Sequence, residues 1–211
     1  MEAADAAELI QEIQEERAEA EATDRFRQGA ALLISILAML LAIGSLGGGN
    51  ATDDMVHGNI HASDTWAFYQ AKNVRQTQYR LAADRIQLDL AGNALSPEAR
   101  AAAEAQLARY RETIARYDDE PDPAAPNDSL RGEGKKQLSA QARGYERVRE
   151  RAEAQDGNFD YSEVFLQLAI VLGSVAILAT SRAVLTFSIV LGAVGALLLI
   201  NGFALLFPLP I

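Results

Sequence analysis

RAVLTFSIVLGAVGALLLINGFALLFPLPI, Arg182 to Ile211, closes the chain with thirty residues whose only charge is the first. An α-helix crosses the ~30 Å hydrocarbon core of a bilayer with about 20 residues. A charged side chain at mid-bilayer costs roughly 2.5–3.5 kcal/mol on insertion scales, so long uncharged apolar runs mark membrane spans. Two shorter runs, Gln28–Thr52 and Val164–Ser181, carry the same signature. The expected chain is all-α with three transmembrane helices: one N-terminal span at 29–47, and a C-terminal hairpin of spans at 164–180 and 183–205 that turns at Ser181-Arg182. An acidic helix over 1–28 precedes them. Residues 48–163 form a helical, coiled-coil-like soluble domain between the first and second spans.

Charge limits the partners. Of 211 residues, 29 are acidic and 19 basic, a net charge of −10. Residues 1–28 hold nine of the acids against Arg17, Arg25 and Arg27. Such a chain is a poor ligand for nucleic acid or an anionic membrane surface. With no cysteine, disulfides, thiolate metal sites and thiol catalysis are absent. The apolar run Ala30–Leu46 follows a long acidic leader rather than a short basic one, so it reads as a retained signal-anchor helix and not a cleaved signal peptide.

Local signals divide the polar middle into helices. Met1–Gln28 shows only a narrow apolar stripe, Leu9, Ile10 and Ile13, too little for a stable isolated helix. In the first span Ala31, Ser35, Ala38, Ala42 and Ser45 make a small-residue stripe suited to close helix packing. Glycine costs roughly 1 kcal/mol in a helix interior, so Gly47-Gly48-Gly49 is expected to break or hinge the helix. A helix then runs from about Thr52 to Leu90 and ends at Gly92-Asn93. Its thin seam is Val56, Ile60, Ala67, Val74, Leu81 and Leu88, with Ser63, Gln70, Thr77 and Asp84 interleaved. Ser96-Pro97-Glu98 is a strong helix start, an N-cap followed by proline at the first helical position. That helix reaches Tyr117, with Leu107, Tyr110, Ile114 and Tyr117 on one face. Residues 121–128 are too proline-rich for a helix, and a third helix covers about 135–155. So slender a core is expected to complete itself against copies of the chain or another protein, with polar seam residues setting register.

Few residues offer chemistry. His57 and His61 are the chain's two histidines, and with Asp53 and Asp64 they fall on one helical arc. Imidazoles at i, i+4 flanked by carboxylates match the spacing of helical divalent-metal sites, so these four are the candidate metal or pH-sensing set. The plainer reading is a hydrated cap next to the membrane. Trp66, Phe68 and Tyr69, followed by polar residues, form the densest aromatic patch. A straight helix from Gly49 would carry Trp66 about 25 Å beyond the span, too far for an interfacial belt. Together with Leu107, Tyr110, Ile114 and Tyr117 these aromatics are the candidate interface. The spans hold no Asp, Glu, Lys, Arg or His to serve a pump, a proton-coupled carrier or haem. Gln167 and Asn201 are expected to bond across helices. No catalytic set and no cofactor motif is found, so no enzyme activity is expected.

The stretch NATDDMVHGNIHASDTWAFYQAKNVRQTQY, Asn50 to Tyr79, resembles a bacterial membrane-protein family known as domain of unknown function 4337, most specifically over Asp64–Lys72. The resemblance covers most of the chain and implies a bacterial inner-membrane protein. It brings no activity or site residue. Arg25 and Arg27 before the first span, and Arg182 in the hairpin turn, fall on one membrane side. The positive-inside rule makes that side cytoplasmic, with the N-terminus, and puts the middle domain in the periplasm. The leading expectation is a non-enzymatic, self-associating scaffold or accessory subunit of a membrane complex, with the bilayer and further copies as partners. A metal- or pH-responsive sensor built on the Asp/His cluster is the alternative, and a passive channel a weaker third.

Overall fold

The computed structural model describes residues 3–92 and 94–209. It contains four helices: α1 (Ala3–Ala91), α2 (Pro97–Asp118), α3 (Lys135–Ala179) and α4 (Arg182–Ala204). Among the described residues there is no strand, only an isolated bridge between Pro121 and Gly132. Three of the helices, α1, α3 and α4, contain stretches long and apolar enough to cross a membrane. The side chains of Leu9 and Ile10, and all of Met1, Glu2, Asn93, Pro210 and Ile211, lie outside the described residues.

The glycine triplet does not break α1. The helix passes through Gly47, Gly48 and Gly49 without interruption, so one helix of 89 residues stands where a span and a separate helix are expected. Packing explains the difference. A Cβ on Gly47 would lie 2.8 Å from the Phe159 ring and 3.1 Å from Phe203, so the bare backbone is a seat for aromatic rings. The burial gained there outweighs the propensity cost. Likewise α3 runs as one helix from Lys135 to Ala179, where sequence suggests two.

The chain forms two compact units, one of α1 through Asp53 with Ala152 onward, the other Asp54–Arg151. In the first, α1, α3 and α4 pack around Leu37, Leu166 and Ala169, and around Ala51, Phe159 and Leu199. Their inward faces are built from small residues. Leu37 fills the space over Gly192, Leu166 that over Gly195, and Ile34 that over Gly173. On α4 the inward face is Ser188, Gly192 and Gly195, all buried, with Ala196 half-buried beside them. The stripe expected on α1 is not. Ala31, Ser35, Ala38, Ala42 and Ser45 are all exposed, and Ala30, Leu37, Gly44, Gly47 and Ala51 face inward instead. The inward set has the two glycines that let Leu199, Phe159 and Phe203 approach. The hairpin turn is tight: Thr180 takes a left-handed conformation (φ 46°), and Ser181 caps α4 by accepting from the Val184 N–H.

The second unit is one helix thick on either side of its seam. α2 and α3 both run antiparallel to α1 and follow one another along it. Arg100 of α2 donates to Leu90 O, Gln76 to Ile114 O, Lys135 of α3 to Asn73, and Trp66 to Glu146. The face of α1 that receives them is Gly58, Ala62, Lys72, Gln76 and Ala83, all buried. Val56, Ile60, Val74, Leu81 and Leu88, the seam visible in the sequence, are on the outside. Burial follows partner chemistry here: small residues admit the opposing helices, while Lys72 and Gln76 reach carboxylate and carbonyl acceptors.

Candidate functional site

Lys72 sits where α2 ends and α3 begins. Only 5% of the residue is exposed, and its ammonium donates to Glu120 Oε2 at 3.1 Å and to the Glu133 carbonyl. The Glu133 carboxylate is 3.6 Å away. The rings of Phe68 and Tyr117 lie 5.4 and 5.6 Å from the ammonium, placing the charge against two aromatic faces. A buried ammonium needs this much compensation, because desolvation of a charge outweighs one ion pair unless its remaining protons are also bonded. Lys72 thereby ties both ends of the 119–134 connector to α1. The connector is braced from the other side by Gln137, which donates to Asp119 and accepts from the Glu120 N–H.

Charge around this junction is balanced and directional. Partial burial works to raise the Asp118 carboxyl, but the Gln76 amide, Lys135 and Arg80 outweigh it and hold it below the usual value. Hydrogen bonds from Gln137 and Lys136 lower Asp119 in the same direction. In the first unit, Asp160 shifts the opposite way, raised by partial burial and by the neighbouring Asp156 and Glu163.

The aromatic patch expected at the interface packs within the chain. Trp66 Nε1 donates to Glu146 Oε1 at 2.8 Å, and Tyr69 meets the Trp66 ring edge-on at 5.4 Å. Phe68 is 39% exposed beside Lys72. On α2, Leu107 is buried, Tyr110, Ile114 and Tyr117 are half-buried, and the Tyr79 ring of α1 lies against Tyr110 and Tyr117.

The histidines are not drawn together around a common point. His61 stacks on Tyr145 with ring centroids 5.1 Å apart, while Asp53, His57 and Asp64 are exposed. Among the described residues no group of three or more His, Cys, Asp or Glu side chains converges as a metal site would require. A hollow of about 540 Å³ on the outer side of α3 is lined in part by Leu130, Tyr145, Arg147, Val148 and Arg151. Its lining pairs no acid with a base or nucleophile.

A second polar centre lies in the first unit. Asn201, fully buried, donates to Asn158 Oδ1 at 2.7 Å and to Phe207 O at 2.9 Å, and accepts from the Phe207 N–H. Three bonds on one amide hold α3, α4 and the C-terminal turn together. The expected partner Gln167 is exposed instead; it lies on the outer face of α3, while Asn158, two and a half turns earlier, points inward. Ser162 donates to Gly195 O at 2.8 Å and Ser188 to Ala169 O at 2.6 Å. No sequence pattern distinguishes Asn158, whose neighbour Gly157 suggests a helix end. Only the pairing reveals it.

The chain belongs to the family described as a domain of unknown function, DUF4337, which it matches over residues 26–205. No curated protein and no solved structure matches it.

Proposed function

We propose that this chain is a non-enzymatic, multi-pass membrane protein that self-associates and serves as a scaffold or accessory subunit of a larger membrane assembly. The observation that carries the reading is how the buried polar side chains are used. Lys72, Asn158, Ser162, Ser188 and Asn201 each bond groups of the same chain, joining one helix to another or a connector to a helix. Polar groups kept for chemistry are instead left facing a cleft, poised for substrate. The proposed setting is the inner membrane of a bacterium, with three spans in α1, α3 and α4. Arg25, Arg27 and Arg182 mark the cytoplasmic side, and the unit Asp54–Arg151 is periplasmic.

The mass of the detergent-solubilised particle tests this reading. Two or more copies of the 22.8 kDa chain, or a stoichiometric complex with a second protein, are expected. A monomer in mild detergent and in lipid, with the Asp54–Arg151 unit fully ordered, would overturn it.

A further inference from the structure

In the second unit, α1 is covered on one side only. At 100° per residue, Ile60, Val74, Leu81 and Leu88 point away from the buried stripe of Ala62, Gln76 and Ala83. They are 49, 57, 65 and 70% exposed, and with Ala67 they recur at every seventh residue without a gap. Single exposed aliphatics are ordinary on a protein surface. Four large ones in register along one helix are not. A straight α-helix drifts by about 20° per heptad relative to a seven-residue repeat, so a strict repeat of seven is matched by a second helix wound around the first with left-handed supercoil.

We propose that this line is a contact between two copies of the chain, α1 against α1 in parallel. It deepens the self-association proposed above and rests on it. Size fits a dimer. From Val56 to Leu88 the face is ~48 Å long at 1.5 Å per residue. At a helix width of ~10 Å it presents roughly 500 Å² in projection, more once side-chain relief is counted, against the about 800 Å² per partner of a standard interface. Tethering both copies in one membrane raises their effective concentration and fixes the parallel direction. The chemistry also suits a like partner. The apolar line carries no charge, and the alternate seam positions Ser63, Gln70 and Thr77 are neutral groups that both donate and accept, so each can bond its own symmetry mate across a two-fold axis. Such polar layers fix register in paired helices. Asp84 is the one charge among the alternate positions.

Disulfide mapping in native membranes tests the face directly, because the chain has no cysteine of its own. Single substitutions Ile60→Cys, Val74→Cys and Leu81→Cys in the full chain are oxidised and read as dimer on a non-reducing gel. At least a fivefold excess of dimer is expected over Arg75→Cys, which is exposed on the same helix but about 100° away, and over Glu104→Cys on α2. A Val74→Asp/Leu81→Asp double variant should lose the dimer mass while keeping its helical circular dichroism. Multimeric wild-type particles without this sevenfold phase, equal crosslinking at Arg75, or a foreign chain captured at Val74 would each overturn this face and leave self-association standing. A wild-type monomer would remove both.

Discussion

The Phe159 ring occupies the place where Gly202 would carry a side chain: its Cε1 is 2.6 Å from an ideal Cβ on that glycine. Gly47 of α1 presses on the same ring from another side, with two ring carbons 2.8 Å from its Cβ position. The ring is 2% exposed and meets Phe203 edge-on, so it has no free volume into which to retreat.

Alanine at Gly202 or Gly47 is therefore expected to destabilise the first unit by about 1–3 kcal/mol, the usual cost of overpacking. Gly49 belongs to the same triplet, but its Cβ position has no neighbour within 4 Å. Gly49→Ala should be neutral or stabilising by up to ~1 kcal/mol, as alanine is in a helix interior. Thermal unfolding midpoints of the three variants in one detergent check the order. Equal effects at Gly47 and Gly49 would contradict the packing.

Asn158 and Asn201 should be strongly coupled. Replacing either alone with leucine leaves buried polar atoms unpaired, at about 1–3 kcal/mol. The double replacement removes both halves of the 2.7 Å bond and should cost less than the two singles added. A double-mutant cycle on unfolding free energy reads the difference, and additivity would show the pair contributes nothing jointly.

Removal of Lys72 should free the connector before it unfolds the unit. Its partners Glu120 and Glu133 are 34 and 70% exposed, so their carboxylates can rehydrate. Lys72→Met is expected to cost less than the ~3–5 kcal/mol of breaking a fully buried pair. Amide exchange over 119–134 should accelerate at least tenfold while α2 stays protected. Unchanged exchange there would show that Lys72 does not hold the connector.

Acid should act on the two units with opposite signs. Asp118 and Asp119 are held below their ordinary 3.8, so the stability they lend is complete above that value and is lost as pH falls below it. Asp160 is raised above 3.8, so its ionised form burdens the first unit at neutral pH, and protonation relieves that burden as pH falls toward 3.8. Amide exchange between pH 7 and 3 should show the connector loosening only below about pH 4. Asp118→Asn and Asp119→Asn together should flatten the response.

Orientation is checked by labelling. A cysteine replacing Asn127 should react with an impermeant reagent from the periplasmic side, and one replacing Ala183 beside Arg182 should not. The reverse pattern would move the Asp54–Arg151 unit to the cytoplasm.

The start of α2 was plain in the sequence. Ser96-Pro97 opens α2 as its spacing announces, because a hydroxyl bonding an early amide is a local event; Ser181 caps α4 in the same way, although in the sequence it reads only as a turn. Helix continuity was not. Gly47, Gly48 and Gly157 lower local propensity, and what carries α1 and α3 through them comes from elsewhere in the chain: Phe159, Phe203 and Asn201. Facing was harder still. Helix α1 has one stripe through Ala62, Gln76 and Ala83 and another through Ile60, Val74 and Leu81, both at seven-residue spacing. Hydropathy favours the second as the core. The first is buried because Glu120 and Glu133 wait for Lys72, and the Ile114 carbonyl for Gln76, none of which composition can report. The Trp66 patch and the α2 aromatics were visible as a cluster, but whether they met their own chain or another one was not.

The connector has a narrow neck. Asp122 donates its N–H to Arg131 O and pairs with the Arg131 guanidinium at 2.9 Å, Glu133 N–H donates to Glu120 O, and Gly132 (φ 121°) turns where a Cβ would stand 2.2 Å from that same oxygen. Everything between, residues 123–130, is a closed bight whose ends are already held. Lengthening such a bight adds little entropy, since each doubling of a flexible loop costs only ~0.6 kcal/mol. The tip near Asn127 is thus a natural port for an inserted epitope or fluorescent protein, able to carry a cargo much larger than itself without disturbing the helices that anchor it.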